Sequence, residues 1–254
     1  MSLDKQIKIQ KVLQSWPSET VAASAWFVRL GVSPQLLRRY VSSNWIRPLA
    51  KGAYIKTGDH VDWQGGLYAV QTHSSLPIHA GALTALALQG YAHYVRMSAE
   101  TVFLFSPHGT NLPAWFRNRD WKQPFHYSRT SFLPDGLALT DFQTGAFSIR
   151  IAAPERAILE CLHLTPNVTG TMECYQIMEG LTTLRPKLLQ QLLEQCSSIK
   201  AKRLFLYMAS KAGHGWYKRL DVSKLKLGTG DRTITKGGTY VAQFGITVPE
   251  ELAR

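Results

Sequence analysis

The residues best suited to chemistry in this chain are Gln35, Arg38, Arg39 and Ser42, at i, i+3, i+4 and i+7 of one short stretch. On an α-helix that spacing puts all four on one face. Guanidinium and amide groups aligned in this way can make paired hydrogen bonds to base edges in the major groove of DNA. Arg47, Lys51 and Lys56 follow closely and could neutralise backbone phosphates. The same residues could equally form no more than the solvated face of a small packed domain.

Other chemistry finds weaker support. Cys161 and His163 lie two apart on a predicted helix and point to different faces, and the eight histidines form no HxH, HExxH or zinc-finger spacing, so no metal is expected. Ser, His and Asp occur without a GxSxG elbow. Glu155 and Glu160, with Asp135 and Asp141 upstream, admit an alternative, a nuclease targeted by a winged helix and cleaving with two metals. The lysine usual two residues after such an acid is missing, and glutamates just after Pro154 also suit the positive end of a helix. The run from Leu227 to Arg232 lacks phosphate-loop spacing, and no cofactor is expected. Aromatic residues Tyr91, Tyr94, Trp115, Phe116, Trp121 and Tyr127 near Arg96, Arg117, Arg119 and Arg129 could stack nucleobases, although aromatics at such density commonly form core.

The candidate readers need elements to hold them. Gly31 closes one helix; Ser33 can cap the next with its hydroxyl, and Pro34 suits a first helical position. Leu36, Leu37, Tyr40 and Val41 make the packed face of that helix, and Asn44 suits a left-handed stop. Residues 45–49 and 53–56 read as strands around an Ala50-Lys51-Gly52 turn. Upstream, residues 4–16 form an amphipathic bracing helix, and Ser18 is expected to cap a helix over 19–30. Together these describe a winged helix-turn-helix over residues 1–60. Asp62 can cap a helix from Trp63 to about Thr72. Beyond it the pattern gives a helix at 80–88, strands at 101–105, 125–132, 137–142 and 146–151, then helices beginning at Pro154, Met172, Pro186 and Lys202. The fold class expected is α+β, with the winged helix followed by a larger mixed α+β domain over 61–254.

The chain has 254 residues and a formal charge of +12, which favours a polyanionic partner. Residues 1–58 hold nine Lys and Arg against Asp4 and Glu19, a net +7, whereas 59–195 are near neutral. A second basic block comprises Lys200, Lys202, Arg203, Lys211, Lys218, Arg219, Arg232 and Lys236, with Lys224 and Lys226 among them. Three widely spaced cysteines and an N-terminus interrupted by lysines favour a cytoplasmic protein. Residues 63–95 carry no Lys, Arg, Asp or Glu, but their Gln, His and Pro content argues for a buried part of a soluble protein and no membrane partner.

The winged-helix stretch GVSPQLLRRYVSSNWIRPLAKGAYIKTG, followed in order by WQGGLYAVQ, HAGALTALALQGYAHY, APERAILECL, KRLFLYMASKAGHGWYKRLD and KLKLGTGDRTITKGGTYVAQFGITVP, resembles the AbiEi family of abortive-infection antitoxins over nearly the whole chain. The resemblance implies a non-enzymatic, two-domain regulator of a toxin-antitoxin system. Its winged helix would bind inverted repeats in double-stranded DNA at its own promoter and repress transcription. Its C-terminal domain would counteract a nucleotidyltransferase-type toxin. On this chain Ser33, Gln35, Arg38, Arg39 and Ser42 would take the recognition-helix role and Lys51 the wing, and the basic region from Lys200 to Lys236 would hold DNA or serve antitoxicity. Asn44 stands where glycine is expected, and Pro48 falls in the first wing strand.

Overall fold

A computed structural model of the chain describes residues 3–91 and 101–254. It opens with α1 (Leu3–Ser15), β1 (Ala22–Ala23), α2 (Ser24–Arg29), α3 (Pro34–Ser42), β2 (Ile46–Ala50) and β3 (Ala53–Lys56). The three strands form one sheet in the order β1-β3-β2. This is a winged helix, and its core joins Val12 and Trp16 at the end of α1 to Phe27, Leu37, Tyr40 and Ile46. Phe27 sits edge-on to Trp16, Trp26 and Tyr54 at ring separations of 5.6, 5.1 and 5.7 Å, an arrangement favoured by the ring quadrupoles.

One expectation is corrected here. The helix predicted over 19–30 is only α2, because Ala22 and Ala23 pair with Tyr54 and Ala53 of the wing. Ser18 therefore caps nothing, Glu19 takes a left-handed φ of 61°, and Ala23 stands at the N-cap position without a side-chain bond. A sheet ladder formed across thirty residues of chain has overridden the local helical preference.

Downstream, Asp62 Oδ1 accepts from the N–H groups of Gln64 and Gly65 at 2.8 and 3.1 Å. It thereby caps α4 (Trp63–Tyr68), which continues as a π-helical turn over Ala69–His73. These elements pack on the winged helix. Val21 N–H donates to Gly65 O at 3.1 Å, Arg29 Nη2 donates to His73 O at 2.7 Å, and the His73 ring stacks on Trp26 at 4.6 Å. The compact unit containing the winged helix thus runs past residue 60, through His79, and takes in Ser106–Pro124 and Asp141–Arg150. Gly66 shows why a glycine is needed in α4, since a Cβ there would come within 2.6 Å of the Trp121 ring.

The chain continues through β4 (His79–Ala80), α5 (Ala82–Leu88), β5 (Val102–Ser106), α6 (Ala114–Arg117), β6 (Phe125–Arg129), β7 (Leu139–Thr144) and β8 (Phe147–Ala152). Strands β4–β8 form a five-stranded sheet in the order β6-β5-β4-β8-β7, with β4 and β8 parallel. Then come α7 (Pro154–Leu164), α8 (Thr171–Gly180), α9 (Pro186–Gln195), α10 (Ile199–Lys211), β9 (Arg232–Thr233), β10 (Thr239–Val241), β11 (Ile246–Val248) and α11 (Glu250–Ala253). In the second compact unit, which takes in Ala80–Phe105, Phe125–Thr140 and Ile151–Arg254, α7 is the central helix, packed on α5, α8, α9 and α10 with Ile158, Leu159 and Leu162 fully buried. The last three strands form a small sheet in the order β10-β11-β9, an element not read from the sequence. Of the uncharged run 63–95, the last four residues lie outside the described ones. Among the described residues no helix is long and apolar enough to cross a membrane.

Candidate nucleic-acid interface

The expected recognition helix is built as its local signals require. Ser33 Oγ accepts from Leu36 N–H at 3.2 Å, and Pro34 occupies the first turn. Asn44 ends the helix at φ 56°, with Trp45 N–H donating to Tyr40 O at 3.0 Å. Leu37 and Tyr40 are buried, while Gln35, Arg38, Arg39 and Ser42 are exposed. Four polar side chains are therefore presented by a helix whose opposite face is fixed in the core, which is the rigidity that base reading requires.

The four are not equivalent. Ser42 Oγ donates to Arg39 O at 3.0 Å, leaving it best able to accept. Gln35, Arg38 and Arg39 make no side-chain hydrogen bond among the described residues, and all three are exposed. Ser33 spends its oxygen on the cap and positions the helix. An apolar groove of about 590 Å³, lined by Val28, Val32, Leu37, Val41, Pro48 and Tyr54 among others, runs along this helix with Arg38 at its edge.

In the wing, Lys51 is exposed at the turn and Gly52 supplies its φ of 86°. Pro48 opposes Tyr54 on the edge strand, next to an irregularity in the β2-β3 register; an edge strand tolerates the missing N–H. Arg47 Nη2 donates to Asp59 O at 3.2 Å, so this guanidinium is partly committed to the protein. Lys56 is half-buried, with Nζ 5.9 Å from the centre of the Trp16 ring. Burial lowers its pKa while Asp59 pulls it back up. Of the three cations assigned to phosphates, Lys51 is the freest.

The second basic block does not form one surface. Lys202 and Arg203 are buried. Arg203 donates to the carbonyls of Leu227, Gly228, Gly230 and Gly245 at 2.7–3.0 Å, and Lys202 Nζ donates to Lys226 O. Lys200 Nζ donates to His163 O at 2.7 Å and also to Thr165 O, satisfying carbonyls at the end of α7. Half-buried Arg232 bonds its own loop at Thr229 O and Asp231 O, and Lys224 pairs with Asp221 at 3.2 Å. Lys202 and Arg203 are thus corrected from a nucleic-acid patch to a clamp on the carbonyls of the glycine-rich segment, and Lys200 to a tie on the end of α7. Lys211, Lys218, Arg219 and Lys236 remain exposed.

Two carboxylates of the nuclease alternative, Glu155 and Glu160, are also committed, whereas Asp135 is exposed and exposed Asp141 lies 3.9 Å from Arg150. Glu155 is buried and bidentate to Arg185 at 2.9 Å, and this guanidinium holds its carboxyl below the ordinary range against the opposing effect of burial. Glu160 bonds Arg156 at 2.8 Å and accepts from Ala82 N–H at 3.0 Å. A Cβ on Gly81 would lie 2.1 Å from Glu160 Oε2, so Glu160 is closely packed against this glycine. Among the aromatics proposed for stacking, Trp115, Phe116 and Trp121 are buried; Tyr94 and Arg96 lie outside the described residues. The sequence reading missed that residues 119–122 belong to the same compact unit as the wing. The signal was present as a basic and aromatic cluster, WFRNRDWK.

A winged helix with an exposed basic helix face, followed by a larger α+β unit, is the build of a two-part transcriptional regulator. The chain belongs to the AbiEi family of transcriptional regulators and antitoxins of type IV toxin-antitoxin systems: the model of the family's N-terminal domain matches residues 5–97, and that of the AbiEi antitoxin matches residues 99–249. Its fold is similar to that of the RV2827C protein from Mycobacterium tuberculosis, with a TM-score of 0.62 at 13% identity, covering 97% of this chain and 92% of that one. No curated protein matches the sequence.

Proposed function

We propose that the protein represses its own toxin-antitoxin operon by binding inverted repeats in double-stranded DNA, and that it counteracts a nucleotidyltransferase-type toxin. The observation that carries this reading is the exposed set Gln35, Arg38, Arg39 and Ser42 on one face of a helix anchored by Leu37 and Tyr40. Gln35, Arg38 and Arg39 read base edges, Ser42 accepts a hydrogen bond, and Lys51 contacts phosphate from the wing. Arg47 and Lys56 play smaller parts. DNA reading belongs to residues 1–60 and antitoxicity to 61–254, where Lys211, Lys218, Arg219 and Lys236 are among the exposed cations. The protein works in the cytoplasm without a catalytic group of its own.

The test is a gel-shift titration with the upstream promoter fragment of the operon. Arg38→Ala and Arg39→Ala each weaken specific binding by about 1–3 kcal/mol, the usual worth of a paired base contact, with unchanged melting temperature. Full affinity in both variants would remove the reading face from the proposal. Co-expression with the adjacent toxin gene tests the antitoxin role: the Arg38→Ala, Arg39→Ala double variant still rescues growth.

A further inference from the structure

Within the unit that holds the winged helix lies a half-open cleft of about 470 Å³, a size typical of small-molecule sites, which run from about 300 to 1,000 Å³. Its apolar lining comes from Ile55 of the wing with Trp121 and Phe147, all buried. Three cations also line it: Arg47, Arg119 and Lys122. Arg119 is placed over the Trp121 ring at 5.1 Å, makes no ion pair among the described residues, and has an Nε without a hydrogen-bond partner. That Nε is buried, so it is the terminal nitrogens of a guanidinium held against a ring and outside any ion pair that are left to take an anion.

Three carboxylates, Glu19, Asp62 and Asp120, line the same cleft. Asp62 Oδ1 already caps α4, and Asp120 Oδ1 accepts from Lys122 N–H at 2.8 Å. Their second oxygens and the Glu19 carboxylate remain as acceptors for N–H donors. An anionic group, a flat ring and ring N–H donors are together the chemistry of a nucleotide. We propose that this cleft binds a nucleoside monophosphate, with phosphate on Arg119, Lys122 and Arg47 and the base against Trp121 and Phe147.

Such a ligand acts on the wing. Arg47 lies in β2 and at present donates to Asp59 O, while Asp59 Oδ2 accepts from Glu19 N–H at 2.7 Å. Phosphate draws Arg47 away from that turn and resets the strand that carries the wing. Coupling of this kind is reciprocal, so nucleotide and operator alter each other's affinity by one factor. This second step rests on the DNA-reading proposal; the binding step does not.

The experiment is calorimetric titration of the full chain, without DNA, with the four ribonucleoside monophosphates, the corresponding nucleosides and inorganic phosphate. Saturable binding of at least one monophosphate at one site per chain is expected. Nucleoside and phosphate alone bind at least about tenfold more weakly, as expected when each supplies only part of the contacts. Arg119→Gln and Lys122→Gln each reduce the affinity at least about fivefold at unchanged melting temperature, consistent with loss of a charge-assisted bond. The site is overturned by absence of binding to every monophosphate, by equal binding of inorganic phosphate, or by affinity unaltered in both variants. A gel shift at saturating nucleotide then reads the coupling, with a change in operator affinity expected in the native chain and none in Arg119→Gln. An operator affinity that the nucleotide leaves unchanged overturns the coupling, whereas failure to bind operator both with and without nucleotide counts against the DNA-reading proposal alone.

Discussion

Arg203 holds four backbone carbonyls from two stretches of chain, and no other side chain type has the donors to replace it. Arg203→Met should destabilise the protein by about 3 kcal/mol, because acceptors that lose a charged donor in a buried setting are left unpaired. Arg203→Lys should recover only part of this, since one ammonium cannot reach all four oxygens. Thermal denaturation of the two variants checks the order. His73 gives a pH dependence. Burial, reinforced by the Arg29 charge and opposed by a bond to the Val21 backbone, lowers its pKa from 6.5 to about 4. At pH 7 the imidazole is neutral in the folded chain and mostly so in the unfolded chain, so its effect there is small. As pH falls from 6.5 towards 4 the unfolded chain takes up a proton that the folded chain refuses. Stability therefore declines across that window, by roughly 3 kcal/mol in full at 1.36 kcal/mol per unit. Melting temperatures between pH 7 and pH 4 should show this acid limb, and His73→Gln should flatten it.

Among elements, α3 depends on its cap. Ser33→Ala removes the acceptor for Leu36 N–H and should cost about 1 kcal/mol, whereas Ser33→Asp should retain most of it; chemical denaturation of both measures the difference. That cap was legible in the sequence because every signal for α3 is local: serine, proline, an apolar stripe, then Asn44. The same holds for α4 with Asp62 and for α7 with Pro154. What was not legible depended on partners far along the chain. Ala22 and Ala23 become a strand only because Tyr54 and Ala53 lie beside them, and alanines in a helical pattern carry no sign of that. The small sheet of β9, β10 and β11 is formed by strands of two or three residues separated by glycines, too short for any alternation to register. Lys202 and Arg203 read as a basic helix face for the same reason, since the carbonyls that accept their hydrogen bonds begin 24 residues later.

For the whole molecule, the redistribution of charge decides how DNA binding should respond to salt. The chain carries +12, and two basic blocks suggested two contacts on one polyanion. Lys200, Lys202 and Arg203 serve the interior, Arg232 bonds its own loop and Lys224 is paired. The second block therefore offers far less free charge than its composition implies, while Arg38, Arg39 and Lys51 stand exposed on neighbouring elements. Operator affinity should fall log-linearly with salt, with a slope near −0.9 for each phosphate neutralised. Lys51→Gln should reduce the slope by about 0.9 and weaken binding to specific and unrelated DNA alike, as expected of a phosphate contact. Combined replacement of Lys211, Lys218, Arg219 and Lys236 by Gln should leave the slope as it was and diminish growth rescue in co-expression with the toxin. A slope reduced by two or more in that fourfold variant would show instead that the second unit also lies on the DNA.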